Sequence, residues 1–478
     1  MTSLSSKGYA IVKECLDPKD LEEIRSTLTV KPYNIMDAEN NITSSFPVYK
    51  ESKTKIYVPK VYGLKHFGIP DEDHITNRPY SDIEIKFNGD LREDQKGPVS
   101  AYLKAANNKE EMGGIINLQC AAGKTVMALY IACALGKKTL VVVHKEFLLD
   151  QWKERISQFV KDAKVGYIKG PVCDVNGKDI VIGSLQSLSM KEYDSNIFDK
   201  FGFVIYDEAH HTSAQVFSRI FQKVTTQYTL GLSATVNRKD GLTKVFKWHI
   251  GDIVYKGKKK KDVMKILIKE FYEPNHEYSR PYLMFNKKPN ISKMINNICE
   301  YTPRTKFIIK CLQDILIDEP NRRVLVLSDR RNHLVAFKQQ LDEVGISSGF
   351  YYGGLKPEVL QESEKQQVLL GTYAYVSEGF DMKGLNTMIL ASPKSDVIQS
   401  IGRITRDLVQ DREYPALVLD IVDNFSIFPN QGKKRLKYYQ SQNYDIEKDT
   451  LYDVSNIDFK GKCYITMDDE DEFSVLKD

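Results

Sequence analysis

The sequence predicts an α/β protein: two tandem parallel-sheet domains behind a small N-terminal module. Three observations carry that expectation. The chain's 478 residues and 54.8 kDa exceed what one hydrophobic core usually organises. Apolar strand-like runs alternate with helical periodicity over residues 89–250, and the alternation resumes near residue 301. Near-continuous apolar runs with helices between them favour a parallel sheet covered on both faces.

Residues 1–88 form the N-terminal module, with a helical pattern over Leu16–Leu28 and strand-like pieces at Phe46–Tyr49 and Lys55–Pro59. In 89–250 the runs Gly114–Leu118, Thr139–Val143, Asp179–Ile182, Phe203–Tyr206 and Tyr228–Leu232 read as strands, with helices between them. Segment 251–300 opens on the basic knot Lys256-Gly257-Lys258-Lys259-Lys260-Lys261 and holds one strand pattern, Val263–Ile268, with aromatics Phe271, Tyr272, Tyr278, Tyr282 and Phe285. It reads either as a wedge or thumb that stacks on bases or as a linker with a small apolar core. In 301–455 the strands are Arg323–Leu327, Ser347–Tyr352, Gln367–Gly371, Thr387–Ala391 and Ala416–Ile421, with helices at Thr305–Ile317 and Asn332–Val344. The pattern fades after Ile421, and 456–478 is a solvated acidic tail containing Met467-Asp468-Asp469-Glu470-Asp471-Glu472.

Composition narrows the class. The apolar share of 42% fits a globular protein. No run of about 18 uncharged apolar residues occurs, and Met1–Lys7 lacks the apolar centre of a secretory signal, so neither secretion nor a membrane partner is expected. Seven cysteines, at 15, 120, 133, 173, 299, 311 and 463, include no Cys-x-x-Cys pair. That pattern argues for an intracellular, reducing compartment and against a disulfide framework or a structural zinc. A net charge of +4 is too small to decide whether nucleic acid binds, because a groove can be basic on a nearly neutral protein.

Two motifs carry chemistry. The turn after Gly114–Leu118 holds Gly123-Lys124-Thr125 before a helical pattern, Val126–Leu135. Glycine lets backbone approach a phosphate, the helix N-terminus attracts an anion, Lys124 adds mobile charge and the Thr125 hydroxyl suits Mg²⁺. Gly-Lys-Thr also occurs in purely structural turns, and Leu118 stands where the full phosphate-loop pattern has its first glycine. The second motif, Asp207-Glu208-Ala209-His210, directly follows Phe203–Tyr206. On a strand neighbouring the phosphate loop, Asp207 would hold the metal shell and Glu208 would polarise water. A hydrophilic helix cap is the plainer reading, and the apolar run just before the pair weighs against it. His210 and His211 lack a third ligand spaced for a metal.

With these two motifs in place, further elements follow in order: Leu91-Arg92-Glu93-Asp94-Gln95, Val143-His144-Lys145 with Gln151-Trp152, Ile182–Leu188, Ser233-Ala234-Thr235, Gly371-Thr372, Glu378-Gly379-Phe380-Asp381 and Gln399–Arg406. Their order and spacing resemble superfamily 2 DEAH-box helicases over about residues 89–425. Arg238-Lys239-Asp240 is similar to the Arg-Glu-Asp element of XPB-like DNA helicases, with Lys239 replacing glutamate. Tyr49-Lys50-Glu51-Ser52 and Tyr57–Gly63 resemble the leader of helicases from large cytoplasmic DNA viruses, relatives of the poxvirus transcript-release helicase.

The resemblance implies two RecA-like lobes and ATP and Mg²⁺ as cofactors. Lys124, Asp207, Glu208, Arg403 and Arg406 would be catalytic, with Arg406 as the arginine finger and Arg403 beside it on one face of a short helix. Gln95, Ala122, Gly123, Thr125, Gly379 and Asp381 would join Lys124 in binding nucleotide, Gln95 by reading the adenine edge. Thr125 and Asp207 would hold the metal. Lys145, Gln186, Ser187 and Thr372 would touch nucleic acid, and Ser233, Thr235, His210 and Gln399 would couple the two sites. The implied function is an ATP-dependent DNA helicase or translocase in viral transcription or in DNA repair and recombination. Its partner would be single-stranded DNA or a tailed duplex, with RNA polymerase or other transcription factors as protein partners and the virion or host cytoplasm as location. A duplex translocase that separates no strands, an RNA helicase, and a nucleic-acid-binding scaffold with a silent ATPase remain alternatives.

Overall fold

Runs of aliphatic and β-branched residues become the middle strands of two parallel sheets. The computed structural model describes residues 1–32, 45–76, 78, 81–118, 122–207, 214–233, 241–257, 263–273, 277–379, 382, 384–404 and 413–453. The chain divides into two units, Met1–Lys259 and Lys260–Asp478.

The first unit begins with β1 (Thr2–Ser5) and β2 (Gly8–Val12), an antiparallel pair in which a Cβ on Gly8, at φ 103°, would come within 2.6 Å of the Val58 carbonyl oxygen. A ribbon of β3 (Thr29–Val30) and β4 (Phe46–Pro47) follows. The strands β5 (Lys50–Glu51), β6 (Lys55–Val58) and β7 (Glu72–Asp73) then complete a sheet ordered β5-β6-β2-β1-β7. A second ribbon joins β8 (Lys86–Phe87) to β11 (Val160–Lys161).

The main sheet of this unit contains β9 (Gly113–Asn117), β10 (Thr139–Val143), β12 (Val165–Lys169), β13 (Val172–Cys173), β14 (Ile180–Ser184), β15 (Phe203–Asp207), β16 (Tyr228–Ser233) and β17 (Ile253–Lys256). Their order is β13-β12-β14-β10-β15-β16-β9-β17, parallel except for β13. All five residues of β10 and of β15 are buried, which explains why these strands read as unbroken apolar runs.

The N-terminal sheet shares a core with this domain. Leu4, Tyr9, Ile11 and Val58 belong to one cluster with Val204, Tyr206, Phe217 and Phe246. Lys60, only 3% exposed, crosses the junction and donates from Nζ to the carbonyls of Met112 (3.3 Å), Thr226 (3.2 Å) and Gln227 (2.8 Å). Three ammonium donors on three carbonyl acceptors satisfy a group whose burial would otherwise be costly.

The second unit contains β18 (Met264–Tyr272), β19 (Val324–Ser328), β20 (Ser348–Tyr351), β21 (Val368–Thr372), β22 (Thr387–Leu390), β23 (Ala416–Asp423) and β24 (Asp445–Asp453). These form an all-parallel sheet ordered β20-β21-β19-β22-β23-β18-β24. Two carboxylates on β23 anchor helices. Asp423 receives Arg304 at 2.6 and 3.0 Å, and Asp420 receives Arg435 at 2.8 Å and the Tyr439 hydroxyl at 2.8 Å. Within 251–300, the stretch that reads from the sequence as a linker or a thumb-like insert, the chain contributes β17 to the first sheet and β18 to the second. The expected fading after Ile421 is replaced by the Phe428–Ser441 helix and by β24. Among the described residues no helix is long and apolar enough to cross a membrane. The residues of the acidic tail, 456–478, lie outside those described.

Candidate nucleotide and nucleic-acid site

In a parallel sheet every strand delivers its following loop to the same edge, which is where ligands of open α/β sheets bind. On the first unit that edge gathers the expected site residues in a row. Registers run Ser184 to Val143, Val142 to Tyr206, Asp207 to Leu232 and Ser233 to Asn117. Gln186 and Ser187 therefore stand past β14, Lys145 past β10, Asp207 at the end of β15, Ser233 at the end of β16, and Gly123-Lys124-Thr125 past β9. Asp207 is not on the strand neighbouring the phosphate loop, as the sequence suggests. The order β15-β16-β9 interposes β16 and brings Ser233 next to the loop instead.

The loop is braced from both sides. Its first residue, Leu118, donates its N–H to the Ser233 carbonyl at 3.0 Å and accepts from Lys124 Nζ at 3.3 Å. Leu118 is not among the residues with positive φ, so its backbone does not require the glycine that the phosphate-loop pattern places there. Gly123 is different. It sits at φ 76° as the residue before the Lys124–Leu135 helix, and a Cβ there would fall 2.2 Å from Gln95 Nε2. The carbonyl of Ala122 accepts from Arg92 Nη2 (3.0 Å) and from Gln95 Nε2 (3.4 Å), while Gln95 Oε1 accepts the Arg92 N–H at 3.0 Å. Gln95 is 3% exposed, and both ends of its amide take part in this brace. The helix begins on Gly123 with no side-chain cap among the described residues, and the N–H groups of its first turn have no carbonyl partner within the helix. Lys124 and Thr125 are its first two residues, both half-buried.

Asp207 is buried and held by a partner from another element. Trp152, in the Glu146–Phe159 helix and 2% exposed, donates its indole N–H to Asp207 Oδ2 at 2.8 Å. A buried indole usually finds an acceptor, but nothing in a linear sequence says which one. In the sequence Trp152 stands out only as part of a motif. Thr125 offers a hydroxyl and Asp207 a carboxylate, both hard oxygen donors, and two protein ligands fit Mg²⁺, which keeps waters and phosphate oxygens in its shell. Among the described residues no group of three or more His, Cys, Asp and Glu could hold a metal by itself.

Farther along the rim, Lys145 precedes the helix that carries Trp152, and partial burial lowers its amine pKa. Gln186 is exposed, whereas the Ser187 hydroxyl accepts the Gly170 N–H at 2.8 Å. On the second unit, Thr372 ends β21, half-buried and paired in register with Ser328. Arg403 is 8% exposed, but the helix expected to carry it with Arg406 spans only Ile398–Ile401, so Arg403 lies in the turn beyond. Gln399 falls within that short helix and Gly379 ends the Tyr373–Gly379 helix. Glu208, His210, Thr235, Asp381 and Arg406 lie outside the described residues, as does Arg238-Lys239-Asp240.

Comparisons with known proteins converge on this architecture. Residues 88–238 match the family described as type III restriction enzyme, res subunit, and residues 308–407 match the helicase conserved C-terminal domain. A protein of Acanthamoeba polyphaga mimivirus named as an ATP-dependent RNA helicase is 36% identical over 458 residues, covering 94% of this chain and 86% of that protein. The DNA 3'-5' translocase XPB2 of Sulfurisphaera tokodaii is 35% identical over 192 residues, 39% of each chain. Among solved structures, S. cerevisiae Dbp5 bound to RNA and ADP BeF3 superposes with a TM-score of 0.50 at 13% identity, covering 77% of this chain and 95% of that one. Its likeness is one of fold, two RecA-like domains in tandem.

Proposed function

This chain belongs to the superfamily 2 helicases, and from that premise we propose that it is a motor coupling ATP hydrolysis to movement along DNA. The observation that carries the reading is the row along the first sheet's edge. Phosphate-loop residues occupy one end, the candidate strand contacts Lys145, Gln186 and Ser187 the other, and Asp207 and Ser233 stand between them. Lys124 and the N–H groups of its helix bind the β- and γ-phosphates. Thr125 and Asp207 would hold Mg²⁺, which when bound would neutralise phosphate charge; Glu208 would orient the attacking water, and Arg403 and Arg406 would be the arginines that supply charge to the transferring phosphoryl group. DNA as the track is supported by the likeness to the archaeal translocase. RNA is the second reading, favoured by the name of the mimivirus relative.

ATPase rates of the purified protein, alone and with single-stranded DNA, tailed duplex or RNA, test both. DNA is expected to raise the rate, with an apparent affinity that falls steeply on a log–log plot against salt, because phosphate contacts release counterions. Stimulation by RNA alone selects the second reading. No stimulation by either polymer ends the motor reading.

A prediction specific to this chain concerns Trp152. Phenylalanine there keeps an aromatic ring of smaller volume and deletes the N–H that holds Asp207 Oδ2 at 2.8 Å. Trp152→Phe is expected to raise the Mg²⁺ concentration for half-maximal binding of a fluorescent ATP analogue several-fold, and to lower the urea midpoint through the space the smaller ring leaves in the core. An unchanged Mg²⁺ titration would mean that the indole serves packing alone.

A further inference from the structure

Residues 282–290 fold into a closed hairpin that holds apolar side chains in water. The N–H of Asn290 donates to the Tyr282 carbonyl at 2.7 Å, that of Met284 to Lys288 at 2.8 Å and that of Lys287 to Met284 at 2.9 Å. Leu283 and Pro289 form a bridge, and Lys287 takes the turn at φ 61°. At the tip Leu283 is 61% exposed, Met284 45%, and Phe285 wholly exposed. Among the described residues no other three consecutive large hydrophobic residues are exposed. Exposed apolar surface grouped in this way marks an interaction site, and three backbone hydrogen bonds close the hairpin that presents it.

The charge around the tip and its place in the fold indicate what it meets. Between 277 and 293 the chain has four basic residues, Arg280, Lys287, Lys288 and Lys293, against one acidic residue, Glu277. Lys293 Nζ lies 4.3 Å and the Arg280 guanidinium 5.6 Å from the centre of the Tyr282 ring at the hairpin's base. The hairpin runs directly into the Ile291–Glu300 helix. Arg330 holds that helix, donating from Nη2 to Ser292 Oγ at 3.0 Å and from Nε to Asn296 Oδ1. Arg330 lies two residues past Ser328, the last residue of β19 and the register partner of Thr372. The aromatic tip thus stands on the strand-end rim of the second sheet, the rim that also presents Thr372.

We propose that this hairpin is a base-stacking element for a single-stranded nucleic acid. Phe285 stacks on an unpaired base, and Lys287 and Lys288 lie against the flanking phosphates. The proposal rests on the motor reading given above. An exposed aromatic face accepts any base, and lysines beside it follow the backbone without reading sequence, which is what a translocating protein needs.

The test uses the full-length protein and fluorescent single strands of DNA and of RNA. Phe285→Ala is expected to weaken strand binding about tenfold, within the range that loss of one base–aromatic stack produces. Phe285→Trp should bind as wild type does, and its added indole emission should be quenched when the strand binds. ATPase without nucleic acid should be unchanged in both variants. If wild type binds a strand and Phe285→Ala binds it equally well, or if the Phe285→Trp emission is not quenched, the hairpin proposal is overturned while the motor reading stands. That outcome would assign the tip to a protein or lipid surface instead. If wild type neither binds strands nor responds to them in ATPase assays, both readings fall.

Discussion

Lys124→Ala is expected to lower ATP turnover by at least about 10²–10³-fold, the range for removing one preorganised charge donor from a transition state. The amine follows directly on the left-handed Gly123, at the start of a helix whose first N–H groups are not used within the helix. Ammonium and amides act together on an anion, and only the ammonium can follow charge that migrates during phosphoryl transfer. The fold should survive, because Lys124 is half-buried and its neighbour Leu118 keeps its backbone bond to Ser233. Steady-state ATPase on protein with wild-type circular dichroism decides the matter. Near wild-type turnover would remove the phosphate-loop assignment and the motor with it.

The largest stability effect is expected at Lys60. Lys60→Met fills similar space but leaves three inward-facing carbonyls without the amine, a cost of roughly 2–4 kcal/mol when buried acceptors lose a donor. The midpoint of the first urea transition should fall accordingly. Burial pulls the Lys60 amine down to about 7 from the ordinary lysine value of 10.5. Between those two values the unfolded chain binds more protons than the folded one, so stability gained from this group rises as pH climbs from about 7 to about 10.5. Wild type should show that slope, and Lys60→Met should lack it. A variant with the same midpoint and the same slope would show that the lysine does not join the N-terminal sheet to the domain beneath it.

Much of the fold was legible in the sequence because parallel strands covered on both faces must be apolar at every position. The apolar run Thr139–Val143 has the same limits as its strand, and the run Phe203–Tyr206 ends one residue before its strand does. Strands with other surroundings escaped notice. The strand β12, Val165–Lys169, alternates buried and partly exposed residues and includes a glycine, and β24 is an edge strand rich in Asp, Glu and Lys. The site divides in the same way. Gly123 and Lys124 carry their meaning locally, as a turn and a helix start. The placing of Asp207 two strands from the loop depends on strand order, and its hold by Trp152 on a contact between residues 55 apart; neither leaves a local trace.

The position of β18 bears on how the second unit is made. This strand is the first of its sheet to be synthesised, yet its two neighbours, β23 and β24, are the last. A nascent chain therefore carries Met264–Tyr272 with both edges unpaired until residues 416–453 have emerged, and long-range closure of this kind is slow and exposed to aggregation. The strand's own charges answer that hazard: Lys265, Lys269 and Glu270 interrupt its apolar run, and each finds an opposite charge on β24, at Glu447, Asp449 and Lys448. The same three residues that keep the waiting strand soluble also pair with the strand that ends the wait, and the second sheet closes only once Asp445–Asp453 has been made.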